Sequence, residues 1–493
     1  MVALLLLIGA YFMFGPLNWA AVRVDRDRVS NDALLRAKEG LVAYAVADPN
    51  RPGELPCPDV NNDGASVPIV DYAGSNCVSL IGRLPWKTLG LPDLRDDAGE
   101  PLWYALSDDF HASGTVPLNS DTAFRAGNTS LSIAGLQSAS NLVAVVFAPG
   151  APLVRQDAAT LQDRSAAGSL NAGNYLDFAG GQSNSDGDRV FVSAPKSEAF
   201  NDRALPIHSD DIMWLVERRA GREFSQRLRE HYDGWKAATG SGFYPWAAPF
   251  GDPASMQAGQ NNLEEGLLPL SPAQVVWTSA SITGGTCAGV GTNEIQCTAL
   301  VLLGLGGDVT GRVGNIATSF VDPPNGSEVT TSGLLLLGTP VSTWSINRGA
   351  RRLDFSTDIT FLGTGVVTVR VRAPQASTWI SAPSWLISNN WYQVAYYAVA
   401  PAFSIAGVEI AGNQSCGVCI TVANTAVPAN KEALVLMTGR ALPGQPARPL
   451  PAPPPLATVD QFLESTNQTT ADRIFESNMK STAFNDLPVV VRP

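Results

Sequence analysis

The chain has 493 residues, about three ordinary domains' worth, so two to four folded units are expected. Its formal charge of −12 is spread without an acidic tail, and no Lys/Arg cluster able to grip phosphates occurs, which sets nucleic acid aside as a partner. Only 16% of residues are charged while 45 Gly and 35 Pro are present, a composition suited to short strands joined by turns.

Val2 to Val22 carries no charged side chain and, at about 1.5 Å per residue, would form roughly 30 Å of helix, the thickness of a bilayer core. The stretch reads as a transmembrane helix kinked at Gly15-Pro16. Beyond Arg23 the helical pattern continues through Leu34, Leu35, Ala37, Leu41, Val42, Tyr44, Ala45 and Val46, and stops at Asp48-Pro49. This second half is amphipathic and should lie on a globular domain.

Next in chain order come the cysteines, as three close pairs: Cys57 with Cys77, Cys287 with Cys297, and Cys416 with Cys419. The even count reads as three local disulfides formed in an oxidising compartment. A redox motif at Cys416-Gly-Val-Cys419 would need its first Cys at a helix N-terminus, and the β-type run Ile420-Thr421-Val422 follows instead.

Lys196-Ser-Glu-Ala-Phe-Asn-Asp202 recurs as Lys480-Ser-Thr-Ala-Phe-Asn-Asp486, with one difference. Upstream of each copy the order is kept: an apolar strand run (Leu142 to Phe147; Ala433 to Met437), a turn, then Tyr175-Leu-Asp177 or Phe462-Leu-Glu464. Earlier still, Tyr104-Ala-Leu106 answers Tyr397-Ala-Val399. A duplicated module is expected, each copy opening with a helix, Asn31 to Ala47 and Asp210 to Lys236, the second capped by Ser209 with Met213, Leu215, Val216, Phe224 and Leu228 on its apolar side. The expected division is 1–29 anchor helix, 30–207 first module, 208–275 helix opening the second, 276–375 an inserted β domain around runs such as Val366 to Val371, and 376–493 the second module's sheet.

Leu34 to Ala47, Leu55-Pro-Cys-Pro-Asp59 with Asn61-Asn-Asp-Gly64, Gly82-Arg-Leu-Pro-Trp-Lys-Thr-Leu-Gly90 and Gly99-Glu-Pro-Leu-Trp-Tyr104 together resemble large type IV pilin-like proteins, relatives of minor pilins and of type II secretion pseudopilins. The resemblance covers residues 1 to 207 and extends more weakly over the second half. It implies an α+β fold in which a long N-terminal transmembrane helix packs on an antiparallel sheet. The implied partners are other pilin or pseudopilin subunits and an inner-membrane assembly platform. The implied location is the bacterial inner membrane, single-pass, with an extracytoplasmic domain that reaches the cell surface or a pilus on assembly. No acidic residue precedes Asp25, as in the larger tip pseudopilins, which favours a terminal place in a filament.

Asp59, Asn61 and Asp63, followed by Gly64, fit the first half of a calcium loop, but Val70 stands where the bidentate acid belongs; calcium and a solvated Asx turn both remain open. Asn184-Ser-Asp186-Gly187-Asp188 poses the same choice. Phe200-Asn201-Asp202 and Phe484-Asn485-Asp486 read as a core plug followed by a turn that leads into a strand. Trp86, Trp103, Trp385 and Trp391 read as core aromatics. The three histidines, His111, His208 and His231, belong to no catalytic motif, and no cofactor fingerprint occurs, so no catalytic residues are assigned and the chain is not expected to be an enzyme. The expected function is a pilin-like structural component of a type IV pilus or type II secretion-type filament. An anchored extracytoplasmic adhesin or binding protein is the alternative, and an envelope hydrolase a distant third.

Overall fold

A computed structural model describes residues 2–71, 74–111, 117–121, 130–156, 159–166, 168–239, 242–249, 263–269, 279–291, 294–302, 307–314, 328–339, 341–347, 352–372, 384–404, 418–446, 448 and 458–492, with the side chains of 2–23 and of some strand residues left out. The described residues form two compact units, 1–216 with 388–390 and 217–387 with 391–493.

In the first unit, helix α1 (Val2–Ala47) presents a buried stripe of Ser30, Ala33, Leu34, Ala37, Gly40, Leu41 and Ala45, the i, i+3, i+4 spacing of one helical face. Leu35, expected on that face, is 52% exposed. The stripe is made of small residues and two leucines, so the backbone can come close to its sheet. That sheet contains β1 (Ile81–Arg83), β2 (Trp103–Leu106), β3 (Leu131–Gly135), β4 (Ala139–Ala148), β5 (Val190–Ser193) and β6 (Arg203–His208). Its order is β1-β2-β4-β3-β5, with β6 also paired to β4; every pairing is antiparallel except β3 with β5. β4 is buried from Leu142 to Ala148, which is why it reads as one unbroken apolar run. Its Val145 and Phe147 join a core with Trp103, Tyr175 and Phe191, and α1 lies against β4 and β6.

The second unit repeats this arrangement. Along α2 (Ser209–Thr239), Gly221 lets Val489 and Met437 approach so closely that an added Cβ would sit 2.7 Å from Val489 Cγ2. The sheet order is β7 (Glu265–Leu267), β8 (Ala395–Val399), β10 (Ala433–Met437), β12 (Leu487–Arg492), all antiparallel, while β9 (Thr421–Ala423) and β11 (Ile474–Glu476) form a parallel pair like β3 with β5. Registers correspond as well: Gly82 faces Tyr104 as Gly266 faces Tyr397, and both tyrosines are fully buried. At Gly82 and Gly266 a Cβ would stand 2.7 Å from Asp59 O and 2.3 Å from Ala248 O, so glycine is required for the neighbouring chain to approach.

Between β7 and β8 lie two four-stranded antiparallel sheets, one of Ser279–Ile282, Gly307–Gly314, Arg352–Ile359 and Val341–Asn347, the other of Gly285–Gly291, Glu294–Val301, Gly365–Arg372 and Glu328–Ser332. Cys297 and Ala299 on one strand and Val367 and Val369 on another are buried at every second position, the period of a strand with one covered face. A short third α-helix, Ser384–Ser388, follows.

Several expectations need correction. The fold is predominantly β-sheet, with three α-helices among the described residues, rather than an α+β fold built on a long transmembrane helix. No helix among the described residues is long and apolar enough to cross a membrane. The physical reason is charge: the part of α1 with described side chains, 24–47, carries Asp25, Arg26, Asp27, Arg28, Asp32, Arg36, Lys38 and Glu39. The single-pass inner-membrane location implied by the resemblance loses its basis with it; the side chains of Val2 to Val22, where the span was read, lie outside the described residues. On α2, Ser209 is the first helical residue and is itself buried, Asp211 accepts the His208 N–H at 2.9 Å, and Leu215 is 37% exposed.

Cys57 and Cys77 form one disulfide and Cys287 and Cys297 another, the latter joining residues directly opposite on adjacent strands. Cys419 is disulfide-bonded, and Cys416 lies outside the described residues. Replacing both Cys57 and Cys77 by Ser frees a loop of 20 residues and should cost about 3 kcal/mol. Urea denaturation followed by far-UV circular dichroism should show the midpoint fall to match.

Candidate functional site

The seven-residue repeat lies at the centre of a polar node that is built twice. In the first unit the Asp177 carboxylate accepts the backbone N–H of Asn201 (2.7 Å) and Asp202 (3.3 Å), and Asp202 Oδ2 accepts the Asp177 N–H in return (2.7 Å). Asn184 Nδ2 donates to the same Asp202 oxygen (2.9 Å), while its Oδ1 takes the Val192 N–H on β5. In the second unit Glu464 accepts from Asn485 (3.0 Å) and Asp486 (3.1 Å), Asp486 Oδ2 accepts from Glu464 N–H (3.0 Å), and Asn467 Nδ2 donates to it (2.9 Å) while accepting from Glu476 on β11.

An arginine completes each node. Arg164 donates to Gly150 O (2.6 Å) and Asn174 O (3.0 Å) and lies 4.8 Å from the Tyr175 ring centroid. Arg448 donates to Gly439 O (2.7 Å) and Gln461 O (2.8 Å) and lies 4.9 Å from the Phe462 ring. Gln162 and Gln445 hold the acids from the side, at 3.0 Å and 2.7 Å. Phe200 and Phe484 are buried, and Asn201 and Asn485 donate to Ala151 O and Arg440 O. Each Asn side chain covers a left-handed glycine, Gly150 (φ 68) or Gly439 (φ 56), where a Cβ would collide with the amide at under 3 Å.

The buried acids are electrostatically costly, and their protonation follows from that. Burial first, then the charge of Asp177 or Glu464 beside them, holds Asp202 and Asp486 well above the usual carboxylate range; burial likewise raises Asp177 and Glu464. Asp202 Oδ1 and Asp486 Oδ1 are buried with no donor directed at them. Burial beside a second acid favours the protonated form of Asp202 and of Asp486. Such a node fixes a chain crossing.

The candidate calcium residues lie elsewhere in the first unit. Asp59 Oδ1 accepts the N–H groups of Asn61 (3.1 Å) and Asn62 (2.7 Å), and Oδ2 accepts from Gly64 (2.8 Å). Asp63 accepts from Ala65 (2.7 Å) and from Asn61 Nδ2 (3.0 Å), and Asn61 Oδ1 takes the Asp63 N–H (3.2 Å). The three side chains thus face amide hydrogens, the arrangement of nested Asx turns, where a cation would need bare oxygens. Side chains at Val70 and Asp71 lie outside the described residues. At the second candidate loop, Asp188 accepts the Val190 N–H (2.9 Å) and Asp186 the Asp188 N–H (3.3 Å), again a turn. The one cluster of potential metal ligands among the described residues is Cys57, Cys77 and His111, in which the two sulfurs are already joined to each other.

The Asp59 loop is stitched to the strand-and-turn after it. Asp59 and Arg83 exchange backbone bonds at 2.9 and 2.8 Å, Lys87 N–H reaches Gly64 O (2.8 Å), and Ser66 N–H reaches Thr88 Oγ1 (2.8 Å). Two motifs that are separate in sequence therefore form the walls of a pocket of about 240 Å³, lined by Asp59, Asn62, Asp63, Arg83, Trp86 and Lys87 among others. Trp86 is only partly buried and has Lys87 Nζ 5.1 Å from its ring centroid, so it lines a wall of this pocket, whereas Trp103, Trp385 and Trp391 are core residues. Arg83 and Lys87 escape a motif search because nothing in Gly-Arg-Leu-Pro-Trp-Lys marks them as ligands. The available signal is the recurrence of Gly82-Arg-Leu-Pro85 as Gly266-Leu-Leu-Pro269, with leucine in place of arginine.

The histidines do not converge. His111 Nδ1 lies 2.7 Å from Leu55 O and 3.1 Å from Glu54; His208 is exposed; His231 is partly buried, with its ring 5.7 Å from that of Phe243 and its pKa pushed down to about 4 by desolvation. No family model, curated protein or solved structure matches the chain.

Because the native acids of each node have raised pKa values, the folded chain binds more protons than the unfolded one. Their stabilising contribution is complete below the unfolded carboxylate value and is lost as pH rises through the folded one. As pH rises above the unfolded carboxylate value the acids should pull the urea midpoint down, opposed up to about pH 6.5 by His231, which the unfolded chain protonates more readily. Asp486→Asn, which mimics the protonated acid, should flatten that slope. By contrast, Glu464→Ala strands two backbone donors and should cost about 2–5 kcal/mol.

Proposed function

We propose that the chain is a structural, assembly-forming component of the pilin-like filament class, acting through binding rather than catalysis. The observation that carries this reading is α1. Among its described side chains, residues 24–29 are exposed all round, and the buried stripe on the sheet starts at Ser30. A helical stretch exposed on every side gains from neighbours that cover it, since an isolated helical segment is marginal in water. Helices supplied by other subunits meet that need, which is how pilin-like proteins build a filament. The oxidised Cys57–Cys77 and Cys287–Cys297 pairs fit an assembly that works in an oxidising environment. Both polar nodes use their acids as scaffold, which argues against hydrolysis as their purpose.

A second reading, a binding protein that joins no filament, is favoured by the pocket at Arg83. The two separate on one experiment. Photo-crosslinking residues placed at Val24 and Val29, 68% and 49% exposed, should yield covalent adducts with other subunits or further copies of the chain in cells. Adducts confined to the producing chain itself, with a monodisperse monomer on ultracentrifugation, would reject the assembly role.

A further inference from the structure

We propose that the pocket between the Asp59 loop and β1 binds a single sugar-sized monocarboxylate, an acidic sugar, with Arg83 and Lys87 receiving the carboxylate. This site goes beyond the assembly role and does not depend on it. Arg83 is 92% buried (8% exposed), and its head donates only to neutral oxygens: Asn62 Oδ1, Ser169 O (2.7 Å) and Tyr175 OH (3.0 Å). Its Nε is buried with no acceptor. Lys87 Nζ is exposed and donates to the Asp63 carbonyl oxygen, and among the described residues neither cation forms a salt bridge. A buried guanidinium without a carboxylate is expensive to keep unless something supplies one.

The second unit supplies the internal comparison. At the place of the Asp59–Arg83 strand pair it has Ala248 and Leu267, which exchange the same two backbone bonds (2.9 and 2.7 Å) and close into a small apolar core. The fold therefore does not need an arginine at this place, and the presence of Arg83 in the first unit asks for a ligand.

The lining also fixes the ligand's character. Besides Arg83 and Lys87, Arg95 faces the pocket, but it is taken up by Asp93 (2.6 Å). Three aspartates balance the three cations, which disfavours a polyanion such as a phosphate ester and suits a single negative charge. Asp63 and Asp93, whose carboxylates keep lone pairs beyond those their own partners take, are acceptors for hydroxyl groups, and Trp86 with Leu84 and Leu102 gives an apolar wall for a ring. A volume of about 240 Å³, below the usual drug-sized range, admits one ring rather than an oligomer.

Isothermal titration of the full chain with methyl β-glucuronide as probe should give saturable binding at sub-millimolar to millimolar concentration. Methyl β-glucoside, which lacks the carboxylate, should bind at least about tenfold more weakly. Arg83→Leu, copying Leu267 of the second unit, should lower affinity about tenfold or more. Lys87→Gln, at an exposed position that leaves folding intact, should lower it severalfold and reads the site even if Arg83→Leu unfolds. The proposal is overturned by the absence of saturable glucuronide binding, by equal binding of the two glycosides, by unchanged affinity in Lys87→Gln, or by inorganic phosphate outcompeting the glucuronide.

Discussion

A carboxylate that accepts two consecutive backbone N–H groups is the contact on which each half of this chain depends. Asp177 and Glu464 fix the backbone of Asn201-Asp202 and Asn485-Asp486 just before β6 and β12, and so set the entry angle of the strand that flanks the central strand of each sheet. The reciprocal bonds from Asp202 and Asp486 make the link bivalent, and Asn184 or Asn467 ties it to the parallel strand pair alongside. With the acid removed, two buried amides lose their acceptor and the strand loses its register reference, at a cost well above that of an ordinary surface hydrogen bond.

The same node explains which parts of the sequence could be interpreted directly. Lys196 to Asp202 and Lys480 to Asp486 stand out because Phe, Asn and Asp each have a role that no other residue fills: the core plug, the cover over a left-handed glycine and the buried acceptor. Their partners are harder to see. Asp177 and Glu464 are legible as corresponding positions in Tyr175-Leu-Asp177 and Phe462-Leu-Glu464, but not as acceptors for the same two amides, and Asn184 and Asn467 sit among unrelated neighbours that hide the correspondence. Apolar periodicity finds Leu34, Ala37, Leu41 and Ala45 on α1, but misplaces Leu35, because one residue's step rotates a side chain by about 100° away from the buried face. The membrane-spanning reading rested on a run of apolar residues, whereas the described part of α1 alternates acids and bases that suit water. For the Asp59 loop, the spacing of oxygens suggested a cation; what spacing cannot show is the direction of the backbone N–H groups, which point at those oxygens.

Two kinds of polar burial thus coexist. In the nodes, buried acids are held by backbone N–H groups and side-chain amides, an arrangement that serves the fold. At Arg83 the inventory is left open: a buried cation surrounded by neutral acceptors, with a second cation and an aromatic ring within the same pocket. Comparing the two halves separates what the architecture requires from what only one half retains.

That comparison bears on one connection. In the first unit the segment from Leu84 to Leu102 between β1 and β2 supplies most of the pocket, and in the second unit the connection between β7 and β8 carries the two four-stranded sheets. Because β7 and β8 are paired at Leu267 and Tyr396, the chain leaves and re-enters the sheet at neighbouring points, so whatever is spliced there leaves the framework undisturbed. The hairpin is therefore a port, filled in one unit by the loop that walls the pocket and in the other by two further sheets. A protein engineer could exchange the cargo at either place while keeping the twofold scaffold beneath it.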